Sequence, residues 1–75
     1  MKFIFHGMER SSTWVELEIG NLITYVITTG ARSTGILLGW EFSEFTNIPF
    51  FSVLLESGRV EKINKNLIYW CEVIS

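Results

Sequence analysis

A single cysteine, Cys71, and a single histidine, His6, narrow the chemistry open to this chain before any motif is considered. One thiol forms no disulfide within the chain. One Cys and one His do not supply the four ligands of an ordinary structural zinc site within a subunit. A Cys71–His6 thiol dyad would need a third group to orient the base, so an inert, buried Cys71 in the final apolar segment is the expectation. Glu41 and Glu44 form a carboxylate pair with no histidine or cysteine nearby in sequence, and no catalytic role is expected. No cofactor is expected either. No apolar run reaches the length of a membrane span. The start, Met1 to His6, is apolar like a signal peptide but too short and without a cleavage pattern, so a cytoplasmic chain with no membrane partner is expected.

Charge of either sign is also scarce. Eight acidic and six basic residues leave a net charge of −2, which gives no footprint for binding bulk DNA or RNA, although a local basic ring or groove stays open. Apolar residues are plentiful at 48%, with six Phe, three Trp and two Tyr in 75 residues. A domain this small buries only about 60% of the surface its unfolded chain exposes. Some of that apolar surface is therefore expected to be covered by self-association. Trp14, Trp40 and Trp70 are expected in the core or at a subunit contact.

The pattern along the chain is that of one small all-β domain over 1–75. Lys2–Phe5 reads as a short strand and His6–Ser12 as a loop. Residues 13–19 carry two signals. Val15, Leu17 and Ile19 alternate with Glu16 and Glu18, as in a half-buried strand, whereas Thr13 followed by Glu16 fits a capping box that would open a short helix. The three alternations favour the strand. Gly20-Asn21 ends the segment.

Five strands are then expected: Leu22–Thr28, Gly35–Glu41, Ile48–Leu55, Arg59–Ile63 and Leu67–Ile74. Gly30 and Gly35 mark a sharply curved hairpin, and Gly39 a bend or bulge. Pro49 belongs at a strand start, where its missing N–H costs least. Asn64-Lys65-Asn66 reads as a turn in which Asn tolerates left-handed geometry. Short strands at regular spacing suggest a strongly bent five-stranded barrel over 22–74. The last strand is apolar on both faces, and a bare apolar edge invites pairing with another chain. Segments 59–63 and 67–74 are the expected contacts of a homo-oligomer, which closes into a ring when repeated head to tail.

Gly30-Ala31-Arg32-Ser33-Thr34-Gly35-Ile36-Leu37 resembles the first motif of the Sm family, with two glycines five apart and a leucine two residues on. Trp40, Glu41 and Asn47 resemble its aromatic, acidic and asparagine positions, with Glu41 where the family prefers Asp. Ile63-Asn64-Lys65-Asn66 resembles the second motif, with Asn64-Lys65 in place of Arg-Gly. The resemblance implies an Sm-like barrel that forms rings by pairing its fourth strand with a neighbour's fifth. It also implies a rim that binds single-stranded, often uridine-rich RNA, or single-stranded DNA. Carried over by position, Phe45 would stack on a base, Asn47 would read the base edge, and Asn64, Lys65 and Asn66 would form the second loop. Phe45 packed beneath its own loop, Asn47 as a turn former and Lys65 as a solvated charge are the plainer roles for the same residues. A second expectation is an SH3-like barrel that binds protein, since Glu18–Ile23 resembles the entry strand of such barrels and the surface is acidic and aromatic.

Overall fold

In a computed structural model, residues 1–7 and 12–75 are described. Seven strands follow in chain order: β1 (Lys2–His6), β2 (Ser12–Glu16), β3 (Leu22–Ile27), β4 (Arg32–Phe42), β5 (Pro49–Leu55), β6 (Val60–Asn64) and β7 (Ile68–Val73). A 3-10 turn, Lys65–Leu67, links β6 to β7. The all-β expectation holds. Residues 13–19 form no helix: Thr13 pairs with Phe5 and Val15 with Phe3 in the β1–β2 hairpin. A strand ladder holds the backbone through Glu16, and the Leu17 N–H donates to the Met1 carbonyl at 2.9 Å, more bonds than one capping box supplies. The alternation ends early, since Leu17 is buried but Ile19 is exposed beside a turn closed by the Glu18 N–H on Asn21 Oδ1 at 2.7 Å. The loop expected at His6–Ser12 falls in part on residues 8–11, which lie outside the described residues.

The other five strands form one antiparallel sheet in the order β6-β5-β4-β3-β7. The closed barrel expected from sequence is corrected to two sheets. β6 and β7 lie at opposite margins of the five-stranded sheet and form no ladder with each other, and the β1–β2 hairpin is a separate two-stranded sheet. Across the interior, the Tyr25 hydroxyl of β3 donates to Glu61 Oε1 of β6 at 2.7 Å. A side-chain bond thus links β6 to an inner strand from which it is separated in the sheet order.

Strand β4 is longer than its sequence signal because it serves two partners in succession. Residues 32–36 pair with β3 and residues 35–42 with β5. Ser33 and Thr34, expected in a polar turn, are held in the strand. The Thr24 hydroxyl donates to the Ser33 carbonyl at 3.2 Å, and the Thr34 hydroxyl to Thr24 Oγ1 at 3.1 Å. The two glycines of this hairpin act differently. Gly30 has φ of 88°, the left-handed geometry a tight turn requires. Gly35 is needed for close approach: a Cβ there would sit 2.7 Å from Val53 Cγ1 and closer still to the Leu54 carbonyl. The register shift between Leu37 and Gly39 is the bulge expected at Gly39, and Pro49 does begin β5.

The core is built by alternation. Ile23 and Tyr25, Leu37, Phe51 and Val53, Ile63, and Ile68 and Cys71 turn inward from the large sheet. Phe3 and Phe5 enter from β1, and Leu17 completes the cluster. Trp40 packs half-buried against it, whereas Trp14 and Trp70 are exposed, the latter beneath the Arg32 guanidinium at 5.4 Å from the ring centroid.

Burial raises the pKa of two groups and sets a pH response. The Cys71 thiol is pushed up from an ordinary 9.0 to about 11 by desolvation. Desolvation, then the bond to Glu61, raises the Tyr25 hydroxyl above its ordinary 10.0. In both cases the unfolded chain releases its proton first as pH rises, so the folded state binds more protons and loses stability. The urea midpoint is expected to fall from about pH 9 for Cys71 and above pH 10 for Tyr25. Each group contributes at most about 1.4 kcal/mol per pH unit. Cys71→Ala should remove the earlier part of the fall, and a midpoint flat from pH 9 to 11 would contradict the assignment.

Candidate functional site

Strand register brings the two sequence-nominated loops to one end of the large sheet. Phe42 at the end of β4 pairs with Pro49 at the start of β5. The neighbouring residue Phe50 pairs with Asn64 at the end of β6. Loop 43–48 and turn 65–67 therefore leave the sheet side by side. The β3–β4 turn is also near, since the Thr28 N–H donates to the Leu67 carbonyl at 2.9 Å.

Phe45 is 91% exposed, so packing beneath its own loop is not its role. The loop is closed instead by Ser43, whose hydroxyl accepts from the Phe45 N–H at 3.2 Å and whose carbonyl accepts from the Thr46 N–H at 3.4 Å. A serine-centred turn of this kind fixes the backbone and leaves the aromatic side chain outward. Asn47 is exposed on the same loop. Glu41, just before it, is engaged with Lys62 at 3.3 Å.

In the second loop the three nominated residues separate by role. Asn64 adopts extended geometry, φ −65° and ψ 126°, and the turn expected over 64–66 is the 3-10 turn that follows it. Its Oδ1 accepts from the Asn66 N–H at 2.8 Å, so its side chain shapes the turn. Lys65 is half-buried, with its Nζ 5.9 Å from the centroid of the Phe5 ring, and desolvation lowers its pKa. Asn66 is exposed. A cavity of about 310 Å³ opens here, lined by His6, Lys65, Asn66 and Ile68.

His6 and Ile68 were not nominated by sequence. His6 stands at the end of β1, remote along the chain from Lys65, and no local motif connects them; only the packing of the hairpin against the 3-10 turn does. The His6–Cys71 dyad does not assemble. His6 Nδ1 is 3.0 Å from Ser12 Oγ, while Cys71 is a buried free thiol. Among the described residues no three His, Cys, Asp or Glu side chains gather as metal ligands. No helix among the described residues is long and apolar enough to cross a membrane.

Among the described residues, β6 and β7 each have a ladder partner on one side only, and the β1–β2 hairpin packs beside β7. Exposed apolar side chains flank β7: Leu67, Trp70 and Ile74. On the outer face a row of cross-strand neighbours, Leu22, Ile36, Leu54 and Val60, runs over four adjacent strands. Comparison with protein-family models, with curated proteins and with solved structures finds no match to this chain.

Proposed function

We propose that the chain is an Sm-like, ring-forming protein that binds single-stranded RNA or DNA at the end of the sheet carrying loops 43–48 and 65–67, with no catalytic step. The observation that carries this reading is the convergence of Phe45, Asn47, Lys65 and Asn66 on one end, from loops distant in sequence. Their chemistry suits a single strand. An exposed aromatic ring stacks on a base, a carboxamide reads a base edge, and a cation answers the phosphate. Among the described residues β6 and β7 each lack a ladder partner on one side, which supports assembly, since an open edge with apolar flanks is a template for pairing with a second copy. Head-to-tail repetition then closes a ring. A ring sets several weak sites on one strand and raises avidity without any new contact.

The test is solution mass by light scattering, followed by titration with labelled oligo-uridine at several salt concentrations. A closed oligomer whose affinity falls with salt is expected. Phe45→Ala should leave stability within about 0.5 kcal/mol of the parent, because the side chain packs against nothing. It should weaken oligo-uridine binding by the loss of about 1–3 kcal/mol of stacking per base. Unchanged affinity would remove Phe45 from the site. A monomer indifferent to oligo-uridine would favour the second reading, an SH3-like module that binds protein. The outer apolar row Leu22, Ile36, Leu54 and Val60, on a chain of net charge −2, is the feature that favours it.

A further inference from the structure

We infer that the cavity between β1 and the 3-10 turn is an anion site that takes a single phosphate group, with Lys65 as its cation and His6 and Asn66 as further hydrogen-bond donors. The inference rests on the nucleic-acid reading only for the identity of the natural ligand; the site itself stands on its lining. Four residues surround about 310 Å³ of space: His6, Lys65, Asn66 and Ile68. Among the described residues that line it, three carry nitrogen donors, none carries a carboxylate, and the fourth is a buried apolar side chain.

Among the described residues, the carboxylates on neighbouring elements, Glu44 of the adjoining loop included, do not line the cavity. Strand β5, which underlies the turn, has no charged residue, Glu61 of β6 accepts from Tyr25, and Glu72 of β7 is exposed on the outward row. Among the described residues Lys65 has no carboxylate partner within ion-pair distance. Its ammonium is instead held near the Phe5 ring and is partly stripped of water. A desolvated, unpaired cation gains more from an arriving anion than a solvated one does. The hairpin uses His6 through Nδ1, so Nε2 is the ring nitrogen that remains for a ligand. Asn64 fixes the backbone of the turn by accepting from the Asn66 N–H, which sets the donors in place before the anion arrives. The volume is at the lower end for a small-molecule site and admits a phosphate with its sugar. Bases would then be left to Phe45 and Asn47 on the adjoining loop.

The experiment is an amide-resolved NMR titration of the full chain, first with inorganic phosphate and then with uridine 5′-monophosphate. Saturable shifts at His6, Lys65 and Asn66 are expected with both. Lys65→Met, which keeps the apolar stem over Phe5, should weaken phosphate at least tenfold, and His6→Gln about threefold. In oligo-uridine binding, Lys65→Met should flatten the slope of log affinity against log salt by about 0.7, the loss of one phosphate contact on a single strand. Still amides on addition of phosphate would overturn the site, whatever the variants do. An unchanged salt slope in a folded Lys65→Met protein would overturn its role toward the strand. Phosphate binding at this cavity in a protein that ignores oligo-uridine would uphold the site and overturn the nucleic-acid reading.

Discussion

Phe51→Ala is expected to cost about 3–5 kcal/mol and to bring the protein close to unfolding at room temperature. A chain of this length commonly holds only about 4–11 kcal/mol in all. Phe51 is 1% exposed and stands where the two sheets meet. Its ring lies 4.9 Å from that of Phe3 at 90° and 6.2 Å from that of Phe5, with Trp40 at 6.4 Å. Phe3 in turn contacts Trp40 at 5.1 Å. A two-stranded hairpin is at best marginally stable in water. The β1–β2 unit is therefore held by Phe3 and Phe5, and both lean on Phe51. Removing this ring leaves a cavity and also loosens a whole sheet, so the urea midpoint should drop and hydrogen exchange in β1 should quicken more than in β4. Phe51→Leu keeps an apolar side chain there and should cost on the order of 1 kcal/mol. Equal losses for the two variants would mean that the aromatic cluster does not bind the hairpin.

The same contacts explain what could and could not be read from the sequence. Strand β5 was legible because β-branched and aromatic residues are bounded by Pro49 and by Ser57-Gly58. The inward and outward rows of β7 were less plain, since apolar residues occupy both faces: Cys71 is buried while Trp70 and Ile74 are exposed. The extension of β4 to Arg32 was hidden, because Ser33 and Thr34 read as turn residues until Thr24 is set opposite them. The spacing of Gly35 signals a bend, whereas the structure needs it for the approach of β5. That distinction depends on a neighbour eighteen and more residues away, beyond any local pattern. Closure between β6 and β7 is likewise not encoded in any local pattern. Strand spacing gives the number of strands, but whether β6 meets β7 depends on sheet curvature. At the site, Phe45 and Asn47 were found by motif, and their exposure agrees with availability for a ligand. Asn64 carries a motif position but its side chain shapes the turn, and the pairing of His6 with Lys65 has no local signal, because the two come from opposite ends of the chain.

On the proposed ring assembly, Lys62→Pro should convert the oligomer to a folded monomer of 8.7 kDa. The argument follows the hydrogen bonds of β6. The Leu55 N–H donates to the Arg59 carbonyl at 2.8 Å, which fixes the phase of the β5–β6 ladder. In an antiparallel pair alternate residues turn their backbone groups to the same partner. Glu61 and Ile63 therefore bond inward to Val53 and Phe51, and Val60 and Lys62 turn theirs to the open margin. A proline at position 62 deletes an N–H that no strand of the same chain uses, as edge prolines do in natural sheets. The side chain lost with it makes an exposed ion pair with Glu41, a contact worth at most about 1 kcal/mol. Lys62→Ala removes that pair and keeps the N–H, so it should still assemble. If Lys62→Pro retains the oligomeric mass, β6 is not a subunit contact. If Lys62→Ala dissociates as well, the ion pair rather than the backbone holds the subunits. In the expected case, oligo-uridine affinity should fall by roughly a hundredfold although Phe45, Asn47 and Lys65 are all present, because a monomer offers one site where a ring offers several. Such a loss separates binding by a repeated weak site from binding by one strong pocket, which Lys62→Pro would leave intact.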